Sequence, residues 1–347
     1  MQRFNAKPMD IWRCFCLVAG LFCWGATQAQ NGSLLPGEAV RPFYARDLTP
    51  FSLIFGIPGV EGAWLTPIFR HEIALQADLT SQYLTKTTAQ ESLLIDLESY
   101  HGLLWYRYGW SQRLEIGWDV PLHGYSGGFL DSAILNYHDW FNLPQGGRNA
   151  APMNALNIAY LRQNHPSVIV RRAQYGLGDI RFTLAASILQ DQASRRALSL
   201  RTYLKLPTGD SGALMGSGAV DAAVGLYYQQ RHLTTRRFWD WYFSLGVVAL
   251  GPSELFAAIQ QEQILYTGLG FGVQIFAGWR FKMQFDVHSP VLADSSIRLF
   301  NVSNGMLMTG LEWRVNKHTR WEWAVGEDLI TRTTPDVSFY LRFNRSY

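Results

Sequence analysis

The chain has 347 residues, of which 48% are hydrophobic, 14% aromatic and only 16% charged. Its 30 basic residues nearly balance 27 acidic ones, so the chain lacks the basic excess that nucleic-acid binding requires. All three cysteines lie within the first 23 residues. If that part is removed, disulfides, zinc–thiolate sites and cysteine nucleophiles are excluded from the mature chain.

Residues 1–29 have the organisation of an export signal. A basic start precedes a short apolar run at 15–22, and small residues before Gln30 offer a cleavage site. The apolar run is too short to span a bilayer as a permanent helix. Lipid attachment at Cys23 is the alternative, but bulky Phe22 precedes it where lipoprotein signals have a small residue. We therefore predict that the signal is removed and that residues 30–66 begin the mature protein.

Alternation with a period of two is the dominant pattern of the remaining chain. Between residues 278 and 289, large apolar side chains take every second position, with small, polar or charged ones between them. This period places successive side chains on opposite faces of a strand. Twelve segments share it: 67–83, 92–108, 111–123, 177–190, 197–207, 218–230, 237–250, 263–276, 278–289, 306–316, 319–330 and 336–345.

These segments predict an all-β fold, an antiparallel transmembrane β-barrel of about twelve strands over residues 67–347. The mature chain has no run of about 18 apolar residues that would form a membrane helix. A closed sheet also satisfies every backbone polar group within a bilayer. Together with an export signal, this predicts a porin-like barrel in the outer membrane of a Gram-negative cell, with outward side chains in contact with outer-membrane lipid.

Tight turns and longer loops alternate between the predicted strands, and this alternation fixes their orientation. Short turns are expected at the periplasmic end and long loops outside, and an even strand count returns both termini to the periplasm. The connection at 85–91 is expected to be one of the longer loops, and residues 156–162 and 168–172 an external hairpin. Six tryptophans beside tight turns predict an interfacial aromatic belt: Trp110, Trp239, Trp241, Trp279, Trp321 and Trp323.

Two segments outside the barrel wall have patterns of their own. Residues 30–66 contain several prolines and lack alternation, which predicts either a plug-like segment in the periplasmic mouth or an apolar strap against the barrel rim. Residues 129–143 place apolar side chains at three- and four-residue spacing, which predicts a short amphipathic helix in an external loop. That helix is either a lid or an ordinary part of the loop.

The last predicted strand turns four apolar side chains outward, and the chain ends on an aromatic residue, Tyr347. This ending resembles the C-terminal signal that the barrel-assembly machinery recognises, so we expect that machinery as a partner. Arg345 interrupts the alternation close to the end.

The inward-facing side chains are the candidate site. The predicted solute-binding residues are charged and point into the lumen: Arg201, Lys205, Arg280, Lys282, Asp286, Glu312, Arg314, Arg320, Glu322 and Arg342. Glu115, Asp119 and Arg181 point the same way. One interpretation is a polar conduit that binds or filters a solute. The other is a ladder of ion pairs that fills the lumen and holds its shape.

Two sets of residues resemble known outer-membrane families. Gly176–Asp179, Lys205–Asp210 and Gly216–Asp221 are similar to a pattern in barrels assigned to transport in an aromatic-degradation pathway. Arg46–Pro58 and His138–Arg148 look like an uncharacterised proteobacterial family of outer-membrane proteins, a domain of unknown function. This second resemblance covers most of the mature chain. It implies an outer-membrane location but brings no activity and no catalytic residues.

An enzyme is the main alternative to a channel. His165-Pro-Ser167 resembles the His-x-Ser of an outer-membrane phospholipase, but Pro166 separates the pair and a group that orients the base is missing from the motif. His138, Asp139 and Asp131 give only a weak metal or acid–base signal. We predict no catalytic residue, cofactor or metal. The predicted function is passive passage of a small solute, hydrophobic solutes included, with a lipid-acting enzyme or a structural, surface-interacting barrel as alternatives.

Overall fold

The computed structural model describes residues 39–141, 147–163, 165–193, 195–233, 238–328 and 337–347. The predicted export signal lies outside these residues. The strands are β1 (His71–Thr87), β2 (Glu91–Gly109), β3 (Leu114–Ser126), β4 (Asn157–Arg162), β5 (His165–Val170), β6 (Gln174–Leu177), β7 (Arg181–Asp191), β8 (Arg196–Lys205), β9 (Asp221–Leu233), β10 (Phe238–Ala249), β11 (Gln263–Phe276), β12 (Trp279–His288), β13 (Asn304–Arg314), β14 (Thr319–Asp328) and β15 (Val337–Ser346). The α-helices are α1 (Pro50–Leu53) and α2 (Asp131–Phe141), and 3₁₀ turns cover Arg148–Ala150, Ser211–Ala213 and Arg298–Asn301.

Twelve of these strands, β1–β3 and β7–β15, form one closed antiparallel barrel. The first and last strands close it, with pairs running from Glu72↔Ser346 to Ser81↔Val337. The predicted fold class and strand number are therefore confirmed. Several observed strands begin three or four residues later than predicted. Alternation identifies the two faces of a strand but not the residue at which its hydrogen bonding begins.

The wall is taller at the end that carries the long loops. There the first residues of β2 pair with β4, from Glu91↔Arg162 to Asp96↔Asn157, and β4 pairs in turn with β5. The predicted external hairpin thus extends the sheet. The prediction of a longer loop at 85–91 is wrong. Strands β1 and β2 continue as a paired ladder, so only residues 88–90 connect them.

The outer surface of the barrel is apolar and its inner surface polar. On β11, Leu265 and Leu269 are 61% and 54% exposed, whereas Gly268, Gly270 and Gly272 are buried on the opposite face. Tryptophans of β12, β13 and β14 stack near the short turns, with ring centroids of Trp279 and Trp313 5.7 Å apart. In the described part of the chain, no helix has the length and apolarity needed to cross a membrane. The outward band and the aromatic rings match the alternation expected of a transmembrane barrel wall.

Residues 39–66, called the luminal segment below, run inside the barrel along its whole height. The Val40 amide donates to Asp240 Oδ2 at 2.8 Å, near the short turns. Asp47 lies at the opposite end, where it accepts a hydrogen bond from Asn304. The Thr66 amide is again near the short turns and donates to Glu115 Oε2 at 2.6 Å. The segment therefore enters and leaves through the same end, with its bend at the long-loop end.

The bend is organised by one side chain of the segment itself. The Arg46 guanidinium donates to the carbonyl oxygens of Leu53, Phe55 and Ile57, at 3.1, 2.9 and 3.0 Å. The helix α1 lies between these residues and begins with a proline, which suits a first helical turn. Because one side chain binds three backbone groups, the bend is a compact unit.

Candidate functional site

The luminal segment is bound to the wall by a network of buried ion pairs. Glu61 accepts from Arg107 Nη2 at 2.6 Å and lies 3.3 Å from Arg201 Nη1. Arg201 also binds Glu115 at 2.6 Å, and Arg107 binds Asp119 at 2.8 Å. Each of these side chains is at most 5% exposed. The network therefore joins the segment to strands β2, β3 and β8.

A second group of contacts holds the first leg of the segment against β12. The Gln284 side-chain amide donates to the Phe43 carbonyl and accepts from the Phe43 amide, both at 2.9 Å. Lys282 Nζ lies 3.9 Å from the centre of the Phe43 ring and donates to the Arg41 carbonyl. It also lies 3.3 Å from Glu322. The Lys282 ammonium thus contacts the wall through Glu322 and the luminal segment through Arg41 and Phe43.

Strand β11 offers the segment a smooth inner face. Its inward residues include Gly268, Gly270 and Gly272, and a Cβ placed on Gly268 would be 2.3 Å from Val60 Cγ2. A Cβ on Gly272 would be 2.4 Å from Val40 Cγ1. Both legs of the segment therefore lie directly on this glycine row, which no larger residue could line without displacing them.

The residues that resemble the transporter pattern meet in one buried cluster, called the Lys205 cluster. Lys205 Nζ donates to Asp179 Oδ2 and Ser217 Oγ, both at 2.6 Å, and lies 3.2 Å from Asp221 Oδ2. Asp179 also accepts from the amides of Gly209 and Ser217. The resemblance thus falls on residues that tie three separated pieces of chain together at the long-loop end.

The Lys205 cluster also contacts the luminal segment. The Gly56 amide donates to Asp221 Oδ2 at 2.8 Å, and a Cβ on Gly56 would lie 2.8 Å from Asp221 Cβ. Glycine is therefore required for this close approach. The Gly251 amide donates to the other oxygen of the same carboxylate. Asp221 consequently joins the bend of the segment to the loop between β10 and β11.

An apolar cluster covers the bend at the long-loop end. Phe51 of α1 is 2% exposed and contacts Tyr160, Phe256 and Phe300, with ring centroids 6.2, 5.1 and 6.0 Å away. A cavity of about 30 Å³ lies beside it. Thr49, Phe51, Ser52, Leu84, Ile95, Val291, Leu292, Leu299, Phe300, Val302 and Asn304 line this cavity. The lumen is therefore polar along its height and apolar at its outer mouth.

Asp47 fixes the start of the bend. Its Oδ2 lies 3.1 Å from His288 Nε2, and Thr49 donates to its Oδ1 through both the amide and the hydroxyl. Burial raises the pKa of the Asp47 carboxyl, but the hydrogen bonds with His288 and Thr49 outweigh burial and hold that pKa below its usual range. The carboxylate is therefore ionised at neutral pH.

The ten predicted solute-binding residues all line the lumen, but in several separate groups. Arg280 binds Glu312 at 2.8 Å, Arg342 donates to Gln76 at 2.9 Å, and Asp286 accepts from Gln284 at 2.8 Å. Arg320 pairs with Glu72 and Glu322, Arg314 is buried beside them, and Arg201, Lys205 and Lys282 have the partners given above. Their role in binding a solute remains a prediction.

Sequence reasoning missed the partners that lie in the luminal segment. Tyr44 Oη donates to Asp119 Oδ2 at 2.5 Å, and Arg41 pairs with Glu72 at 2.6 Å. Glu61 is the centre of the buried ion-pair network described above. Residues 30–66 have no alternation, so no register could be read from them and these contacts could not be derived. The proline-rich composition was the available signal, and it indicated only a segment outside the wall.

The enzymatic motif is located in the outer extension of the barrel. Ser167 lies on β5, and the placement of the His165 side chain is outside the described part of the structure. Asp131 begins α2 and pairs with Arg148 at 2.6 Å. Among the described residues, no group of three or more metal-ligating side chains is placed to hold an ion.

Comparison with known proteins gives one family and one fold. The family model described as “Protein of unknown function (DUF3187)” matches residues 29–347, and no curated protein matches the chain. The COG4313 outer membrane channel from Pseudomonas putida F1 is similar in structure, with a TM-score of 0.53 and 10% identity over 81% of this chain and 97% of that one. The NanC porin has a TM-score of 0.41 and 6% identity, over 79% and 98% of the two chains. The CymD monoaromatic hydrocarbon channel has a TM-score of 0.36 and 9% identity, over 81% and 89%. The first likeness is one of fold, and the other two are too distant to carry an argument.

Proposed function

We propose that this chain, which belongs to the family described as protein of unknown function (DUF3187), is an outer-membrane channel closed by its own luminal segment. A small solute, hydrophobic solutes included, passes when that segment moves. The observation that carries the proposal is the path of residues 39–66, which fill the lumen from one end to the other without joining the wall. The fold shared with an outer-membrane channel supports the location and the general class.

The segment is held in a way that allows it to leave. No residue between 39 and 66 belongs to a strand, so its departure breaks none of the ladders that close the barrel. Its contacts are hydrogen bonds, ion pairs and the apolar packing of Phe51 and its neighbours, and a typical hydrogen bond contributes only about 0.5–1.5 kcal/mol net. The closed state therefore rests on many separate contacts, and a ligand or a partner that replaces several of them opens the lumen.

In this proposal the ten inward charges are mainly structural. Most of them pair with one another or with the luminal segment, which matches the ion-pair ladder rather than a dedicated solute site. The outward apolar band contacts outer-membrane lipid, and the last strand is the signal for the barrel-assembly machinery. Helix α2 shields the outer mouth and does not open it. Asp131 of this helix pairs with Arg148, and Arg148 donates to Ser81 Oγ of the wall.

Removal of the first leg and the bend tests the proposal. A variant lacking residues 31–59 keeps Glu61, so Arg107 and Arg201 retain a buried counter-charge and the barrel is expected to fold. Its single-channel conductance in a planar bilayer should exceed that of the intact protein, because the lumen is then occupied by one leg only. Heat-modifiable mobility on a denaturing gel is the control for folding. Equal conductance of the two folded proteins would refute closure by the segment.

A disulfide lock provides the converse test. Cysteines at Val40 and Gly272 would have Cβ atoms 3.1 Å apart, slightly less than the roughly 3.5–4.5 Å of a disulfide. The oxidised double variant should show fewer openings than the intact protein, and a reducing agent should restore them. Each single cysteine variant is the matched control. Openings that continue unchanged in the oxidised protein would show that the first leg does not move.

A further inference from the structure

The environment of Phe51 indicates what opens the channel. The three aromatic rings around it come from separate parts of the outer mouth: Tyr160 from β4, Phe256 from the loop after β10, and Phe300 from the loop after β12. Tyr160 and Phe300 also contact each other, with centroids 5.6 Å apart. Phe51 thus sits in a cage that the barrel forms and the segment fills, in the way a bound ligand fills a site.

We propose that this cage is the solute site of the channel and that a neutral monocyclic aromatic molecule occupies it in place of the Phe51 ring. This inference rests on the proposed function, because the displaced ring belongs to the luminal segment. The adjoining cavity of about 30 Å³ is too small for such a molecule while Phe51 is in place. Exchange of one ring for another is therefore required.

The lining decides the chemical class of the solute. Aromatic rings prefer edge-to-face contacts at centroid distances of about 4.5–7 Å, and the cage presents three such rings. Two polar groups at its border are already bound: Tyr160 Oη donates to Glu91 at 2.7 Å, and Asn304 donates to Asp47 at 2.9 Å. An anion would be desolvated without gaining a partner, and it would also face the carboxylates of Glu91 and Asp47.

The structure couples the cage to the rest of the segment. Arg46 binds the carbonyl oxygens of Leu53, Phe55 and Ile57, so the bend that carries Phe51 moves as one body. The neighbouring Gly56 amide is the contact with Asp221 of the Lys205 cluster. Displacement of the Phe51 ring therefore weakens two attachments of the bend together: the ring contacts in the cage and the hydrogen bond from Gly56 to Asp221.

Binding of fluorobenzene to the full-length protein in lipid nanodiscs, followed by ¹⁹F NMR, tests the assignment. In Phe51→Ala the competing ring is absent, so fluorobenzene should bind at least about tenfold more tightly than to the unaltered protein. Phe55→Ala is the matched control, since Phe55 is a fully buried phenylalanine of the same bend with no ring contact to the cage residues. Phe51→Leu serves if the alanine variant fails to fold.

Two results would overturn the assignment. One is equal affinity of the Phe51→Ala and Phe55→Ala proteins, and the other is equal binding of 4-fluorobenzoate and fluorobenzene to Phe51→Ala. A gain that disappears when Phe300→Ala is added would support it. The conductance of the variant lacking residues 31–59 separates the two proposals. If that variant conducts better than the intact protein but Phe51→Ala gains no affinity, the channel proposal is supported and the solute site is refuted. If Phe51→Ala gains affinity but the deletion variant conducts no better, the aromatic site is supported and closure by the segment is refuted.

Discussion

Lys205 shows how a single residue connects the wall, the loops and the luminal segment. Alternation alone predicts that it faces the lumen, and the structure agrees. Its partners Asp179, Ser217 and Asp221 lie 12 to 26 positions away in the chain, and the register of β8 and β9 brings Asp221 opposite it. The motif could be recognised in the sequence, but the contacts within the cluster could be known only once the pairing of the strands was known.

Replacing Lys205 by methionine should destabilise the barrel strongly. Removal of one partner from a buried ion pair costs about 3–5 kcal/mol, because the remaining charge is left without compensation. Here two carboxylates, Asp179 and Asp221, lose their cation. The free energy of unfolding in urea, followed by tryptophan fluorescence in lipid vesicles, measures the effect. Lys86→Met, at an exposed lysine near the same end, should change it by less than about 0.5 kcal/mol. Similar values for the two variants would contradict the cluster.

Strand β11 shows what a regular strand contributes to the function. Its outward side has leucine and phenylalanine, and its inward side is the glycine row on which both legs of the segment rest. The alternation of this strand predicts the two faces correctly. It does not predict the purpose of the glycines, because the contact they permit is made by residues with no pattern of their own.

Gly268→Val should open the channel, although the new Cβ would also lie 2.8 Å from Asp286 Oδ1 on the neighbouring strand. The added side chain would overlap Val60, whose Cγ2 lies 2.3 Å from the ideal Cβ position, so the second leg cannot stay in place. We expect a higher single-channel conductance with unchanged heat-modifiable mobility. Leu269→Val, on the adjacent outward residue, is the control and should conduct like the intact protein. A folded Gly268→Val barrel that remains closed would show that the leg has room to shift.

At the scale of the whole molecule, the barrel was predictable because its two constraints are local. The period of two marks each strand, and the alternation of short and long connections orders the strands around the ring. The path of the luminal segment depends on contacts between residues far apart in the chain, 75 positions for Tyr44 with Asp119 and 241 positions for Asp47 with His288. No local pattern encodes such pairs, so the plug and strap interpretations could not be separated from sequence.

The outward band gives a prediction for the assembled barrel. Leu269 lies in the middle of β11 and Leu265 close to its long-loop end. An arginine on the lipid face costs about 2–4 kcal/mol at the bilayer midplane and about 0–1 kcal/mol near the interfaces. Leu269→Arg should therefore lower the unfolding free energy in vesicles by more than Leu265→Arg does. The reverse order would mean that the band is placed at the wrong depth.

The path of residues 39–66 has a topological consequence. Both legs pass through the same opening, so the segment is a doubled-back loop and not a thread with one end on each side. It can be drawn out and reinserted without residue 39 or residue 66 moving to the other end of the barrel and without the seam between β1 and β15 coming apart. The ring of strands can therefore close independently of the segment, and if the lumen opens as proposed, one molecule can pass through many cycles of opening while its wall stays intact.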